Sequence, residues 1–189
     1  IHSATKYLGG HSDILAGAIA SSKKIIDKII ESSINYGGNL SAFTAWLLER
    51  SIKTLPLRVK AQNENALRLA KFLDDHKKVS KVNYPGLENH PQFEIAKKQM
   101  KGFGGMLSFV LKNEKKVNFF PKQLNIVKPG GSLGGIESTI TAPSITSHAK
   151  MTKDLRLKYG ISDGLLRFSV GIENYEDLEF DLNQALNKI

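Results

Sequence analysis

The chain has 189 residues, 41% of them hydrophobic, which is enough to fill a core and to build one domain, or one small domain with part of a second. It contains no cysteine, so disulfides and thiolate metal sites are excluded and a reducing cytoplasmic setting is the expectation. The net charge is +9, but the pairs Lys23-Lys24, Lys77-Lys78, Lys97-Lys98 and Lys115-Lys116 stand apart without interleaved aromatics. They read as solvated faces that attract small anions, not as a nucleic-acid surface. No apolar run approaches the roughly 18 residues of a membrane helix, and the start lacks the features of a signal peptide. Neither nucleic acid, membrane nor metal is expected as a partner.

Taken in chain order, residues 14–20 are short and apolar and predict a buried strand. Lys23 to Ile34 predicts a helix, with Ile25, Ile26, Ile29 and Ile30 as one stripe and Ser22 as its cap. Gly37-Gly38-Asn39 breaks it, and Leu40 to Thr54 is helical again. Pro56 suits the start of a helix, and Leu57 to Asp75 follows as a long, regular one. These boundaries divide the chain into residues 1–56, a linking helix over 57–75 and a C-terminal domain over 76–189.

After His76 the pattern changes. Val79 to Tyr84 alternates and predicts a half-exposed strand stopped by Pro85-Gly86. Gln92 to Met100 is a short helix. Gly104–Leu111, Leu124–Val127 and Leu165–Val170 are further strands, and Tyr175 to Ile189 is a closing helix. The result is an α+β domain with a small, mostly antiparallel sheet.

Three constellations can carry chemistry. The first is Ser3-Ala4-Thr5-Lys6, followed by Gly9-Gly10-His11. A lysine amine can form a Schiff base with an aldehyde cofactor, and Ser3 and Thr5 can donate to its phosphate. On an extended segment Ser3 and Thr5 point one way and Lys6 the other, so a turn must intervene. Gly9-Gly10 lets the chain pass close beneath a ligand, while His11 and Asp13 read as structural. A lysine nucleophile at position 6 has little chain before it to build its pocket, so another chain or a longer protein is expected.

The second constellation runs from Pro129 to Ser138, where four glycines flank Ser132-Leu133; it reads either as an anion-binding backbone or as a surface turn. The third is Arg167, set inside the apolar strand Leu165–Val170. A guanidinium there needs an anionic partner, either a local carboxylate or the carboxylate of a substrate. Arg50 and Arg58, around Lys53-Thr54-Leu55-Pro56-Leu57, read as structural or interfacial.

Together the blocks Ser3–Tyr7, Gly10–Asp13, Ala45–Leu48, Lys53–Arg58, Tyr84–Leu87, Gly102–Phe109, Ser132–Ser138 and Arg167–Glu173 resemble the Cys/Met-metabolism enzymes that depend on pyridoxal 5'-phosphate (PLP). This family includes cystathionine γ-synthase, cystathionine γ-lyase, cystathionine β-lyase and methionine γ-lyase. The resemblance runs the full chain in order. It implies the C-terminal part of an aspartate-aminotransferase-like (type I) fold, mixing α/β and α+β, with residues 1–56 as the remainder of the large cofactor domain.

The resemblance also implies roles. Lys6 is the cofactor-linked catalytic lysine, Ser3 and Thr5 contact the cofactor phosphate, Ser132 positions the substrate near the lysine, and Arg167 clamps its α-carboxylate. The implied partners are an amino-acid substrate and further copies of the chain, as a homotetramer of two catalytic dimers. The implied activity is transsulfuration on a sulfur-containing or O-activated amino acid, of the γ-synthase or γ-lyase type. Typical γ-type members carry a glutamate directly before the serine of Ser132-Leu133-Gly134-Gly135. Here it is Gly131, which keeps cystathionine β-lyase and methionine γ-lyase as alternatives. A non-catalytic fragment or structural subunit is the alternative of another class.

Overall fold

The computed structural model describes residues 1–189. They form two compact units, Ile1–Pro56 and Leu57–Ile189. In the first unit, β1 (His2–Ser3) pairs antiparallel with β2 (Gly17–Ala18). The expected buried strand over 14–20 is thus cut to two residues. Nor is it buried throughout: Ile14 is in the core while Leu15 is 83% exposed. Ile14, Ala16 and Ala18 pack with Ala4 and Leu48, and the residues between them face outward, the period of two of a half-buried strand.

Helix α1 (Lys23–Tyr36) covers the expected helix, but the Ser22 side chain makes no capping hydrogen bond and no residue of α1 is buried. Gly37 and Gly38, both at positive φ, end it. Helix α2 (Ala42–Ile52) is capped by Ser41, whose hydroxyl accepts the Thr44 N–H, and it buries Leu48 and Ser51.

The second unit is built on α3 (Leu55–Asp75), which carries Pro56 in its first turn, where the missing N–H has no helical partner to lose. Its buried stripe is Arg58, Gln62, Ala66, Leu69, Ala70 and Leu73. There follow β3 (Val79–Asn83), α4 (Phe93–Gln99), β4 (Met106–Leu111), β5 (Lys128–Pro129), β6 (Thr139–Thr141), α5 (Lys153–Lys158), β7 (Leu165–Ser169) and α6 (Tyr175–Asn187). The sheet order is β3-β4-β7-β6-β5. All neighbours are antiparallel except β5 and β6, and β3 carries a bulge between Val79 and Lys81.

One expected strand is absent. The N–H groups of Asn125, Ile126 and Val127 go to the carboxylate of Asp181 on α6, at 2.8, 2.9 and 3.0 Å. With its donors taken by a side chain, this segment joins no ladder, and β5 starts only at Lys128. Strand β6 and helix α5 stand where no element is expected from the sequence.

The sheet has two unlike faces. Leu107, Phe109 and Leu111 of β4, Ile140 of β6, and Leu166 and Phe168 of β7 form one core with the apolar residues of α3 and with Leu178, Leu182, Ala185 and Leu186 of α6. Each fully buried leucine in that layer contributes about 1.5–3 kcal/mol. The opposite face carries Met106, Ser108 and Val110 of β4 and, in register with them, Ser169, Arg167 and Leu165 of β7. This second face presents the polar residues. No helix of the chain is long and apolar enough to cross a membrane.

At the start of α6, the Arg68 guanidinium lies 3.4 Å from the centroid of the Tyr175 ring and pairs with Glu176. Burial, then a hydrogen bond with Glu179, push the Tyr175 phenol up to about 12. An unfolded tyrosine titrates near ~10, so the folded state holds this proton more tightly. The associated stability is complete below pH ~10 and is lost as pH rises toward about 12. The midpoint of urea unfolding is expected to fall over that window, and Tyr175→Phe to flatten the fall.

Candidate active site

The lysine segment is built by a tight turn. The Lys6 N–H donates to Ser3 O at 3.2 Å, Gly9 N–H to Ala4 O at 2.7 Å and Gly10 N–H to Lys6 O at 2.7 Å. A turn does intervene between Ser3 and Lys6. Ala4 is buried beneath it, Thr5 and Lys6 are half-buried and Ser3 is exposed. Thr5 also ties the turn to the returning strand: its N–H donates to Ala16 O, and its hydroxyl accepts the Ala16 N–H at 3.0 Å.

Gly9 has a purpose other than the one expected. A Cβ there would stand 2.8 Å from Ala4 O and 2.9 Å from Ile14, so the glycine admits its own core, not a ligand. Gly10, at φ 68, completes the turn. His11 is exposed, and its Nδ1 lies 2.7 Å from Gly9 O. With Asp13, Leu47, Arg50, Ser51 and Thr54, it lines a hollow of about 150 Å³.

In the second unit, Arg167 and Ser132 come together. The Arg167 Nη2 donates to Gly131 O at 2.7 Å and to Ser132 O at 2.9 Å. No acidic side chain pairs with it, its Nε is sealed from solvent without a hydrogen-bond partner, and burial lowers its pKa from the ordinary value. A guanidinium keeps its charge regardless. It is therefore a half-buried cation held by two neutral carbonyls, which leaves room for a carboxylate. The reading of Arg167 as a member of a local ion pair fails on this geometry.

The glycine loop is oriented opposite to an anion nest. It turns carbonyls toward a cation, and the N–H of Gly134 is taken by the Ser169 hydroxyl at 2.9 Å. The far end is fastened separately. The Glu173 carboxylate accepts the Ser138 N–H at 2.6 Å and the Ser138 hydroxyl at 2.9 Å, and that hydroxyl accepts the Gly171 N–H. From α3, Gln62 donates to Gly135 O, and Asn65 to Gly171 O and Glu173 O. Gln62, Asn65, Ser138, Ser169, Glu173 and Asp181 were not singled out by the sequence reading. A polar Gln62 in the apolar stripe of α3 and Asp181 in that of α6 are the signals the sequence carries.

The loop also walls a cleft of about 340 Å³, together with Val117, Lys122, Ile140, Thr141 and Ile145. Gly131 is open on the outside: an added Cβ meets nothing within 4 Å. No backbone strain demands glycine at that position.

The profile of the Cys/Met metabolism PLP-dependent enzymes matches residues 1–187. The chain belongs to this family. It is 49% identical over 189 residues to a cystathionine β-lyase of Lactococcus lactis subsp. cremoris (strain MG1363), covering all of this chain and 50% of that protein. It is 46% identical over 190 residues to cystathionine γ-synthase 1, chloroplastic, of Arabidopsis thaliana, covering all of this chain and 34% of that protein. Its fold superposes with a TM-score of 0.92 on the crystal structure of cystathionine γ-lyase from Lactobacillus plantarum complexed with L-serine, at 39% identity, over 100% of this chain and 50% of that one. The chain thus spans half or less of these relatives, and its fold is a partial type I fold.

The residues at the lysine turn fit the family's cofactor. A primary amine and two hydroxyls lie within four positions, the chemistry a phosphorylated aldehyde requires. Thr5 is locally engaged, yet compatible. Its oxygen accepts the Ala16 N–H, while its proton has only a long 3.3 Å contact to Ala16 O and can turn to a phosphate oxygen instead.

The family block Arg167–Glu173 includes a glycine with a steric reason. A Cβ on Gly171 would collide with Ile136 O and the Glu173 carboxylate. Gly171→Ala is expected to lower stability by about 1–3 kcal/mol, the range for overpacking. Thermal denaturation of the full-length protein checks it.

Proposed function

We propose that the protein to which this chain belongs is a PLP-dependent transsulfuration enzyme that acts on a sulfur-containing or O-activated amino acid, either breaking a carbon–sulfur bond as in cystathionine or forming one by replacing an activated oxygen substituent. The observation that carries the reading is Arg167, a half-buried cation with no acidic partner, facing a glycine loop. In the same proposal, residues 1–56 complete a large cofactor domain, 57–75 form the joining helix, and 76–189 form a small domain. The division of the chain after Pro56 supports this.

Ser3 and Thr5 would hold the cofactor phosphate, and the Lys6 amine its aldehyde carbon. When bound, PLP supplies an electron sink for charge developing at the substrate Cα. Arg167 binds the α-carboxylate through its planar fork and so fixes which Cα bond is aligned for cleavage. Ser132 lies beside that fork, its carbonyl 2.9 Å from the Arg167 Nη2, and in this proposal it helps to position the substrate. Lys6 then takes the Cα proton. Loss of a γ substituent requires Lys6 to move a second proton, at Cβ; loss of a β substituent does not.

γ-Synthase or γ-lyase chemistry is the first reading. A specific observation favours a second one. Gly131 supplies no acid to meet the distal amino group of cystathionine, and 49% identity joins the chain to a protein named cystathionine β-lyase. The products separate them: cysteine with 2-oxobutyrate marks γ-cleavage, and homocysteine with pyruvate marks β-cleavage.

In the full-length protein, Lys6→Ala is expected to abolish turnover and change the visible cofactor band. Arg167→Ala is expected to raise KM for cystathionine by at least tenfold, roughly the effect of losing a charge-assisted hydrogen bond. A full-length protein that binds no PLP, or an Arg167→Ala enzyme with unchanged KM, would refute the reading.

The assembly we propose is a homotetramer of two catalytic dimers in the cytoplasm. The uncovered isoleucines of α1 are consistent with further protein surface being needed there. Light scattering on the full-length protein should give four times its subunit mass; a monomer would overturn this assignment.

A further inference from the structure

We infer that Ser169 is a positioning residue for the substrate-carboxylate site, acting through the glycine loop on Arg167. The inference rests on the reading of Arg167 as the carboxylate clamp. Ser169 ends β7, two residues beyond Arg167 and on the same face of the sheet. Only 1% of it is exposed. Its hydroxyl accepts the Gly134 N–H at 2.9 Å, in the interior. Gly134 has φ 76, a conformation that reverses the chain and aims this N–H at the strand.

One strand therefore grips the loop twice and with opposite polarity. Arg167 gives N–H donors to the carbonyls of Gly131 and Ser132, and Ser169 takes the N–H of Gly134. The rest of the loop, from Gly135 to Ser138, is fastened independently by Gln62 and Glu173. The part that touches Arg167 is held at its β5 end by the Gly130 N–H to Ile140 O at 3.0 Å and by a long 3.4 Å contact from the Thr139 hydroxyl to Ser132 O, and on its Gly134 side by the Ser169 hydroxyl. Without that hydroxyl the Gly134 N–H is a buried donor with no acceptor, and the turn must open to reach one. The Gly131 and Ser132 carbonyls would move with it. The guanidinium would then lose the two contacts that hold its plane ready for a carboxylate. Neither cofactor nor reacting atoms need be touched, so the effect should fall on substrate capture.

The experiment uses the full-length holoenzyme carrying Ser169→Ala, Ser169→Cys, Ser169→Thr or Arg167→Ala. KM and kcat are measured with cystathionine, and the inhibition constant with propionate, a carboxylate without a reactive amine. Amide exchange of Gly134 and the thermal midpoint are read in parallel. Ser169→Ala is expected to raise KM and the propionate constant together by about tenfold, the usual effect of orphaning one buried donor. Its kcat should stay within about twofold, with the Gly134 amide exchanging faster. Ser169→Cys, which keeps the volume but is a poor acceptor, should behave alike, and Ser169→Thr should restore both constants.

If Arg167→Ala raises both constants while Ser169→Ala and Ser169→Cys change neither, the inference on Ser169 is overturned and the carboxylate reading stands. If Arg167→Ala itself changes neither, the carboxylate reading is wrong and this inference falls with it. A lower thermal midpoint and kcat at constant KM would make Ser169 merely structural and would also overturn the proposal.

Discussion

The second unit depends on how one positive charge is accommodated, half-buried, on a sheet whose other face is apolar. Arg167 cannot shed its proton, and no carboxylate of its own neighbourhood neutralises it. The chain answers with dipoles. Two carbonyls of a glycine-rich loop turn inward and partly offset the charge without cancelling it. A carboxylate side chain in that place would form a stable ion pair and close the site to any external acid. Neutral carbonyls hold the arginine in place and leave its charge available, which is the condition a substrate-binding cation has to meet.

That arrangement explains the dense polar fastening around the loop. Glycines make it easy for a backbone to turn and easy for it to wander. Gln62 and Asn65 from α3, Glu173 after β7 and Ser169 within β7 each satisfy specific backbone groups there. Asp181 does the same for the three N–H groups just before β5. Most of these contacts satisfy backbone groups that are wholly or partly withdrawn from solvent. Collectively they convert a flexible sequence into a fixed surface. The lysine turn in the first unit follows the same logic on a smaller scale, with Thr5 binding both the N–H and the C=O sides of Ala16.

Much of this was legible in the residues. Helices α1, α2, α3 and α6 follow from apolar spacing, because their repeat of three to four residues is unambiguous over many turns. Strands β3, β4 and β7 carry β-branched and aromatic residues between turn signals. Other features were hidden for physical reasons. Leu124–Val127 has the composition of a strand, yet its N–H groups answer to an aspartate 54–56 residues away, and no local pattern encodes that. Strand β6 has three residues, too few for alternation to register. The Pro129–Ser138 stretch reads in the sequence as an anion-binding backbone or a surface turn, and composition does not reveal that its Gly131 and Ser132 carbonyls face the Arg167 cation. Ser169 and Glu173 lie in the stretch Arg167–Glu173, and only the fold gives them partners.

The two rims of the sheet have a consequence for solubility. On β5, the N–H groups of Lys128 and Gly130 point to β6, so the residue between them should offer its donor to an incoming strand; that residue is Pro129, which has none. On β3, the bulge between Val79 and Lys81 breaks the regular repeat, and an exposed lysine sits at the break. Both margins are poor templates for another β-chain. Newly made copies crowded together are thereby steered away from edge-to-edge polymerisation.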